Sequence, residues 1–332
     1  MKHSADQLHA ARSRRFDITA WFARYGTIFS LIVLLIAFSL ARPDVFPTLG
    51  NLLNIMNQIS ILGIMAFGLS VCLVMGLFDL SIAAMATLGG YLATYALVTY
   101  PDAVSVPAAV LFSLVVAAIL GVGNGLIVSY LGISAFIATL ATGSIITGAM
   151  LGISASKTII TGIPDAFMAI GQNTILGVPN PVVIMLAVGV VLWLLLEHTQ
   201  IGRHLYAIGG NAEASHLSGI AVKRYAPFAL AICAACAGLG GLVAASELGA
   251  GRPQGVGDTY LLNAFAAVFI GASTLRPGKF HILGTFIGVL LIGVIDNGLA
   301  IMGVPTYWQY IVQGVLLILA LFSAGILTMR RR

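Results

Sequence analysis

The sequence predicts an all-α polytopic membrane protein, and three observations support this prediction. Only 8% of the 332 residues are charged, whereas a soluble domain carries about 25%. Hydrophobic residues make up 59% of the chain, which leaves too few polar side chains to cover a water-soluble surface. The apolar residues form long continuous runs, which excludes an outer-membrane barrel with its alternating strands, a cytosolic enzyme, a coiled coil and a disordered chain.

About ten of these runs are predicted to be transmembrane helices, since each helix needs about 20 apolar residues. They cover residues 26–41, 52–75, 82–99, 105–128, 133–152, 181–197, 225–246, 261–275, 282–303 and 306–327. Residues 1–25 then form an N-terminal tail, 26–328 a single transmembrane domain, and 329–332 a basic C-terminal tail. A cleaved signal ending at Ala41 is the alternative to an uncleaved first span.

The distribution of lysine and arginine predicts that both termini are cytoplasmic. With the N-terminus inside, thirteen of the sixteen basic residues lie on the cytoplasmic side and only Arg42, Lys157 and Arg252 lie outside. Positively charged loops stay in the cytoplasm, so the opposite orientation is disfavoured. The basic residues are scattered at span ends, and we therefore expect no nucleic-acid partner.

A short internal match predicts an inverted repeat of five spans. The tripeptide Asn-Gly-Leu occurs at Asn124 in the fourth span and again at Asn297 in the ninth. Those two spans run in opposite directions in the predicted topology, as the halves of an inverted repeat do.

Polar side chains within the spans are the candidates for a substrate pathway, because they are costly in a membrane. The pathway set consists of Asn57, Gln58, Asn124, Asp296 and Asn297. Amides both donate and accept hydrogen bonds, which suits a neutral hydroxylated solute. The alternative is that each amide holds two helices together.

Two connections between spans carry further candidates. Asp79, with Ser81, is predicted to form a turn and to cap the following helix, because a carboxylate suits a helix N-terminus. Residues 198–224 form the most polar stretch after the N-terminal tail. Within it, Asn211 to Leu217 favours a short helix with Asn211 as N-cap, and Gly219 is placed to end it. Such a helix is a docking surface for a cytoplasmic partner or an ordinary linker.

Catalysis and metal binding are not expected. The chain has no GxxxxGK[ST] loop and no HExxH motif. Gly132-Ile133-Ser134-Ala135 loosely resembles the serine motif of intramembrane proteases, but that chemistry needs a histidine base within the membrane. The three cysteines lie in apolar runs, and the CxxC of Cys233 and Cys236 has no second pair to complete a metal site. We therefore expect no catalytic residue, no metal ligand and no cofactor on this chain.

Four stretches resemble the ribose-type sugar permeases, the membrane subunits of bacterial ABC importers for pentoses, hexoses and related polyols. Residues 76–81 resemble the family's GGIDLSVG, with departures at Leu77 and Ala83. Residues 135–142 resemble its AFIATLGT, and 263–271 resemble its DAIAAVVIGG, with departures at Asn263 and Phe269. The longest match runs from Thr199 to Val222, whose family pattern is TxxGRxxYAIGGNxxAAxxSGIxV.

The resemblance implies a multi-pass permease of the bacterial inner membrane that moves a monosaccharide or related polyol into the cytoplasm. It implies as partners a second permease subunit, identical or different, ATPase subunits that bind ATP and magnesium, a periplasmic sugar-binding protein and membrane lipid. The inner loop also resembles the EAAxxxG coupling motif of importer permeases, which implies ATPase-coupling roles for Arg203, Asn211, Glu213, Ala214 and Gly219. The alternative is a stand-alone secondary transporter or channel, which would place ionisable residues deep in several spans.

Overall fold

The computed structural model describes residues 18–315 and residue 318, and this part of the chain is almost entirely helical. The helices are α1 (Ile18–Ala41), α2 (Leu49–Val74), α3 (Ile82–Thr99), α4 (Val106–Leu131), α5 (Ala135–Ser154), α6 (Asp165–Gln172), α7 (Asn180–His198), α8 (Gln200–Gly210), α9 (Ala212–Leu217), α10 (Val222–Leu248), α11 (Asp258–Ala272), α12 (Ile282–Ile301) and α13 (306–315). Two short strands, β1 (Thr174–Ile175) and β2 (Val178–Pro179), form an antiparallel hairpin.

The prediction of an all-α polytopic membrane protein is confirmed. Among the described residues, eight helices are long and apolar enough to cross a membrane, namely α1 to α5, α7, α10 and α12. The predicted span 261–275 corresponds to α11, which has 15 residues and is about 22 Å long, shorter than the membrane core. The predicted span 306–327 begins as α13, and most of its later part lies outside the described residues, as do the predicted C-terminal tail 329–332 and residues 1–17 of the predicted N-terminal tail 1–25. Residues 18–25 of that tail belong to α1.

Helix α10 lies at the centre of the molecule and packs against α2, α3 and α4. Small residues permit this close approach, since a Cβ atom added at Gly89 or Gly90 of α3 would collide with the backbone of Gly238 or Gly241. Gly121 of α4 meets the Leu230 carbonyl in the same way. These contacts are the small-residue packing that lets membrane helices approach closely.

The connection between α2 and α3, residues 75–81, is non-helical, and it buries Asp79 and Ser81 while Gly76 and Phe78 are exposed. Asp79 in this connection lies beside Cys233, eleven residues into α10 and thus about 16 Å from its first residue. That distance is about half the thickness of a 30 Å membrane core. Irregular backbone is tolerated there only where protein covers it, and Asp79 and Ser81 are both fully buried.

The connection between α10 and α11, residues 249–257, is also folded into the protein. Gly257 abuts Ala83 at the start of α3 and donates its N–H to the Thr87 hydroxyl at 3.3 Å. At the other end, Gly251 pairs with Ile159 through two backbone hydrogen bonds of 2.8 and 2.9 Å. Helix α11 follows this connection and begins at the exposed Asp258.

The two longest connections between spans both contain secondary structure. The predicted outer loop, residues 153–180, holds α6 and the β-hairpin, which turns through Leu176 and Gly177 with φ angles of 53° and 81°. The inner loop, residues 198–224, holds α9 as predicted and also α8, which the sequence analysis did not anticipate. Ile201, Leu205 and Ile208 of α8 recur at helical spacing and face the core.

Candidate functional site

A polar cleft lies between α2, α11, α12 and α13. Its volume is about 230 Å³. Five of the side chains that line it carry an amide or a carboxylate: Gln58 of α2, Asn263 of α11, Asp296 of α12, and Gln309 and Gln313 of α13. The Gln313 amide donates to both carboxylate oxygens of Asp296, at 3.0 and 3.1 Å. Tyr260 and Tyr310 add aromatic surface and hydroxyl groups.

The cleft presents both donors and acceptors and no cationic side chain among its described lining residues. Amide groups and a carboxylate can bond to the hydroxyl groups of a neutral solute from several sides. Two residues of the predicted pathway set, Gln58 and Asp296, lie here.

Asn57 lies next to Gln58 in the chain but faces α10. Its amide donates to Glu247 Oε1 at 2.8 Å, and the two side chains are partly buried. The Asn57 Oδ1 atom accepts no hydrogen bond. Asn57 therefore joins α2 to the end of α10.

Asn297 is adjacent to Asp296 but points away from the cleft into the protein. It is 3% exposed, and its Oδ1 accepts a hydrogen bond of 3.0 Å from Asn51. The same Asn51 amide donates to the Phe46 carbonyl at 3.0 Å. Asn297 therefore holds α12 against the start of α2.

Asn124 lies in a third place, next to the connection between α2 and α3. Its amide donates to the Ser81 hydroxyl at 3.1 Å. The Ser81 hydroxyl and backbone N–H both donate to Asp79 Oδ1, at 2.5 and 2.9 Å. All three side chains are buried, so these residues form a closed polar network.

The predicted capping role of Asp79 is wrong, although the turn is present. Helix α3 begins at Ile82, its N-cap position is Ser81, and no side chain caps it. Asp79 is three residues ahead of the first helical residue, so its carboxylate reaches only the Ser81 amide and hydroxyl. The result is a tight turn before the helix.

The predicted coupling residues lie on the exposed surface of α8 and α9. Asn211 caps α9, because its side chain accepts the Ala214 N–H at 2.9 Å. Glu213, Ala214 and the neighbouring Arg203 are exposed. Gly219 has a φ of 86°, in the left-handed region that favours glycine. Leu217 is 83% exposed, so α9 presents an apolar side chain beside charged and polar ones.

A cluster at the same end of the molecule joins α7, α8 and the connection before α12. Arg276 contacts both carboxylate oxygens of Glu197 at 2.6 and 2.7 Å, and the Tyr206 hydroxyl lies 3.1 Å from Glu197 and 3.0 Å from the Phe280 carbonyl. Burial and the adjacent Glu197 raise the pKa of Tyr206, and the hydrogen bond with Glu197 raises the pKa of Arg276.

Several residues of these sites carry little or no signal in the sequence. Gln313 is one helical turn after Gln309, so the two share a face and could have been found together. Asn51 could not be recognised as a partner of Asn297 from the sequence, because polar residues are common at the ends of spans. The pairing of Glu197 with Arg276 joins distant parts of the chain and leaves no local pattern.

Comparison with known proteins identifies the family. Residues 51–321 match the family model of the branched-chain amino acid transport system permease component. The chain belongs to this permease family. The permease is 36% identical over 310 residues to the ribose import permease protein of Escherichia coli (strain K12), which covers 92% of this chain and 95% of the relative.

Two further relatives also carry sugar names. The D-allose transport system permease protein of Escherichia coli (strain K12) is 34% identical to the permease over 313 residues, which covers 94% of both chains. The xylose transport system permease protein of Haemophilus influenzae is 28% identical over 359 residues, which covers 90% of this chain and 95% of the relative. The predicted membership of the ribose-type permeases is confirmed. No solved structure matches the permease.

Proposed function

We propose that this chain is the membrane permease subunit of an ATP-driven (ABC) importer that moves a neutral monosaccharide or related polyol into the cytoplasm. The observation that carries the proposal is the cleft of amides around Asp296, in a chain whose relatives are named as sugar permeases. Asp296 is the one carboxylate among the described lining residues and no lysine or arginine joins it, which disfavours anionic substrates.

The proposed partners follow from the surface of α8 and α9. The exposed Leu217, Glu213 and Arg203 form a docking site for the ATPase, which binds ATP and magnesium. A rigid capped helix can transmit a push to α10. Only the four residues 218–221, which include the turn at Gly219, separate the end of α9 from the start of α10 at Val222. A second permease subunit and a periplasmic sugar-binding protein complete the assembly in the bacterial inner membrane.

The proposed topology has ten spans in one domain over residues 26–328, with both termini in the cytoplasm and an inverted repeat. The connections before α3 and before α11 support the repeat, since each leads into its helix with a G-x-x-D sequence, at Gly76 and at Gly255. The two glycines have φ angles of 77° and 81°.

The orientation is tested by thiol labelling. Single cysteines replacing Lys157 and Arg252 should react with an impermeant thiol reagent in intact cells, and one replacing Arg203 only after lysis.

The test of function is uptake into proteoliposomes that contain the permease, its ATPase and its binding protein. Labelled ribose, allose and xylose are each added to the vesicles under three conditions: without ATP, with ATP only inside, and with ATP only outside. The proposal expects uptake of at least one neutral sugar that requires ATP on the ATPase side. Uptake that proceeds without ATP would establish the stand-alone transporter instead.

The docking surface is tested in the same vesicles. Glu213→Lys and Gly219→Val should lower sugar-stimulated ATP hydrolysis, because they change the charge and the turn of α9. Asp102→Lys, an exposed substitution in a connection outside α8 and α9, is the control and should leave hydrolysis unchanged. Wild-type hydrolysis in both α9 variants would identify the loop as a passive linker.

A further inference from the structure

Three buried side chains with metal-binding atoms meet at the connection between α2 and α3. The sulfur atoms of Cys72 and Cys233 and a carboxylate oxygen of Asp79 all lie within 4.8 Å of one another. Each residue is 0% exposed. They come from three different parts of the fold, α2, the connection 75–81 and α10, so the packing of the bundle is what brings them together.

Close packing of α2 on α10 holds the two cysteines near each other. A Cβ atom added at Gly68 of α2 would lie 2.5 Å from the Cβ of Cys236 and 3.3 Å from the Cα of Cys233. Glycine therefore allows the two backbones to approach. Cys72 is one helical turn after Gly68 on the same face of α2, and this places its thiol opposite Cys233.

The oxygen atoms around the two thiols are only partly satisfied. Asp79 Oδ1 accepts both hydrogen bonds from Ser81, while the buried Asp79 Oδ2 accepts from no N–H or O–H group and has only the Cys233 thiol beside the carboxylate. Asn124, which donates to Ser81, has a buried Oδ1 that accepts no hydrogen bond. Buried acceptors without a partner cost free energy, so two oxygen atoms beside this cluster are available to a further ligand.

The spacing fits a tetrahedral thiolate site after a small adjustment. Zinc–sulfur bonds of about 2.3 Å in a tetrahedron separate the ligand atoms by about 3.8 Å. The three atoms, within 4.8 Å of one another, need to approach by about 1 Å at most, which side-chain rotation can supply. A soft thiolate pair selects zinc-like cations over magnesium or calcium, which prefer oxygen ligands.

We propose that Cys72, Asp79 and Cys233 form a binding site for one thiophilic divalent cation, of the class of Zn²⁺ or Cd²⁺. Binding breaks the two S–H bonds, forms two metal–sulfur bonds and releases two protons to solvent. The dithiolate neutralises the cation, and the carboxyl group of Asp79, held by Ser81, supplies an oxygen as the third ligand with no change in its own protonation. The bound ion joins α2 to α10 and fixes the connection between α2 and α3.

This site was not expected from the sequence. The CxxC of Cys233 and Cys236 points to a pair within one helix, whereas the structure pairs Cys233 with Cys72 of another helix. Cys236 lies one turn further along α10, is buried and is outside the three-residue cluster. It is therefore a matched control for nonspecific binding to a buried thiol.

The test is a titration of the purified, reduced full chain in detergent with cadmium chloride. The thiolate-to-cadmium charge-transfer absorption should saturate at one ion per chain. Cys72→Ser and Cys233→Ser should each weaken the apparent affinity by about tenfold or more, and Cys236→Ser should leave it unchanged. Asp79→Asn, which retains an acceptor for Ser81, should weaken it less. Zinc chloride should displace the cadmium and magnesium chloride should not.

A second measurement uses the unaltered protein, so it does not depend on the folding of any variant. All three thiols are buried, so alkylation, read by mass spectrometry, requires opening of the bundle. Cadmium should slow it more at Cys72 and Cys233, whose sulfur atoms it binds, than at Cys236. The absence of a charge-transfer band, equal loss of binding in Cys236→Ser, or equal protection of all three thiols would each overturn the proposed site.

Discussion

Two groups of polar side chains in the bundle have the same appearance in the sequence and opposite arrangements in the structure. In the closed network, Asn124, Ser81 and Asp79 are buried and bond to one another. In the open cleft, Gln58, Asn263 and Asp296 line a cavity that a solute can enter. A polar residue within a span therefore shows only that burying a polar group has a free-energy cost. Its contacts in the structure show whether the protein or a substrate supplies the hydrogen bonds that offset this cost.

The largest expected effect is in the cleft, at Asp296. Asp296→Ala removes the carboxylate that the Gln313 amide and, in our proposal, the sugar hydroxyls bind. Hydrogen bonds to charged groups contribute about 1.5–3 kcal/mol, so uptake at limiting sugar should fall about tenfold or more. Uptake is measured per inserted copy in the reconstituted system.

Two controls accompany this variant. Asp296→Asn should restore part of the uptake, because an amide still offers one acceptor. Asp102→Asn changes an exposed carboxylate elsewhere and should leave uptake unchanged. Normal uptake by Asp296→Ala would remove the cleft from the substrate pathway.

The next effect is on stability, in the closed network. Asn124→Leu keeps a similar volume but removes the amide that donates to Ser81. The lost bond to Ser81 costs about 1–3 kcal/mol, and removal of the unpartnered Asn124 Oδ1 offsets part of that cost, so the unfolding temperature in detergent should fall modestly. Uptake per folded copy should stay near the wild-type value. A stable Asn124→Leu protein without uptake would place Asn124 in the pathway and break the distinction.

A smaller loss of stability is expected at Asn297. Asn297→Leu removes one acceptor of the Asn51 amide, which retains its bond to the Phe46 carbonyl. The cost should therefore be about 1 kcal/mol. The double variant with Asn51→Leu should be less destabilised than the sum of the two single variants, since they share one interaction. Additive losses would show that the two amides do not depend on each other.

The sequence was sufficient for the class of fold and the family, but not for the division of its polar residues. Continuous apolar runs predict the spanning helices, because the hydropathy of a run depends only on its own residues. The adjacent residues Asp296 and Asn297 show the limit, since one faces the cleft and the other faces Asn51. Consecutive side chains in a helix point about 100° apart. Which of the two faces the cleft depends on how α12 packs against helices that are distant in the sequence.

The inner loop shows the same limit at the scale of an element. Asn211 is a local signal for α9, and the structure has that cap. The overall composition of residues 198–224 gives no sign of α8, whose signal lies in the period of its apolar residues. Ile201, Leu205 and Ile208 recur every three or four residues, which is the pattern of a helix with one buried face.

The smallest expected effect concerns His281, the N-cap of α12, the helix that carries Asp296 and Asn297. His281 is buried, its Nδ1 accepts the Gly284 N–H at 2.9 Å, and its Nε2 lies 2.9 Å from the Thr274 carbonyl. The neutral ring with its proton on Nε2 satisfies both bonds, whereas the protonated ring cannot accept from Gly284. Burial lowers the pKa of His281, the hydrogen bond with Thr274 opposes this shift, and Arg276 adds to it.

The pH dependence follows from that direction. The unfolded chain takes up a proton at His281 near pH 6.5, and the folded chain only at lower pH, so the unfolded state binds more protons in between. Stability should therefore fall as the pH drops below about 6.5, until the folded state is also protonated. His281→Asn retains a cap for Gly284 without titrating. Its unfolding temperature should fall less than that of the wild type between pH 7.5 and 5.5, while Arg276 and Glu197 are common to both proteins. An equal fall in the two proteins would mean that other groups cause the pH dependence, and that the start of α12 is insensitive to the charge of His281.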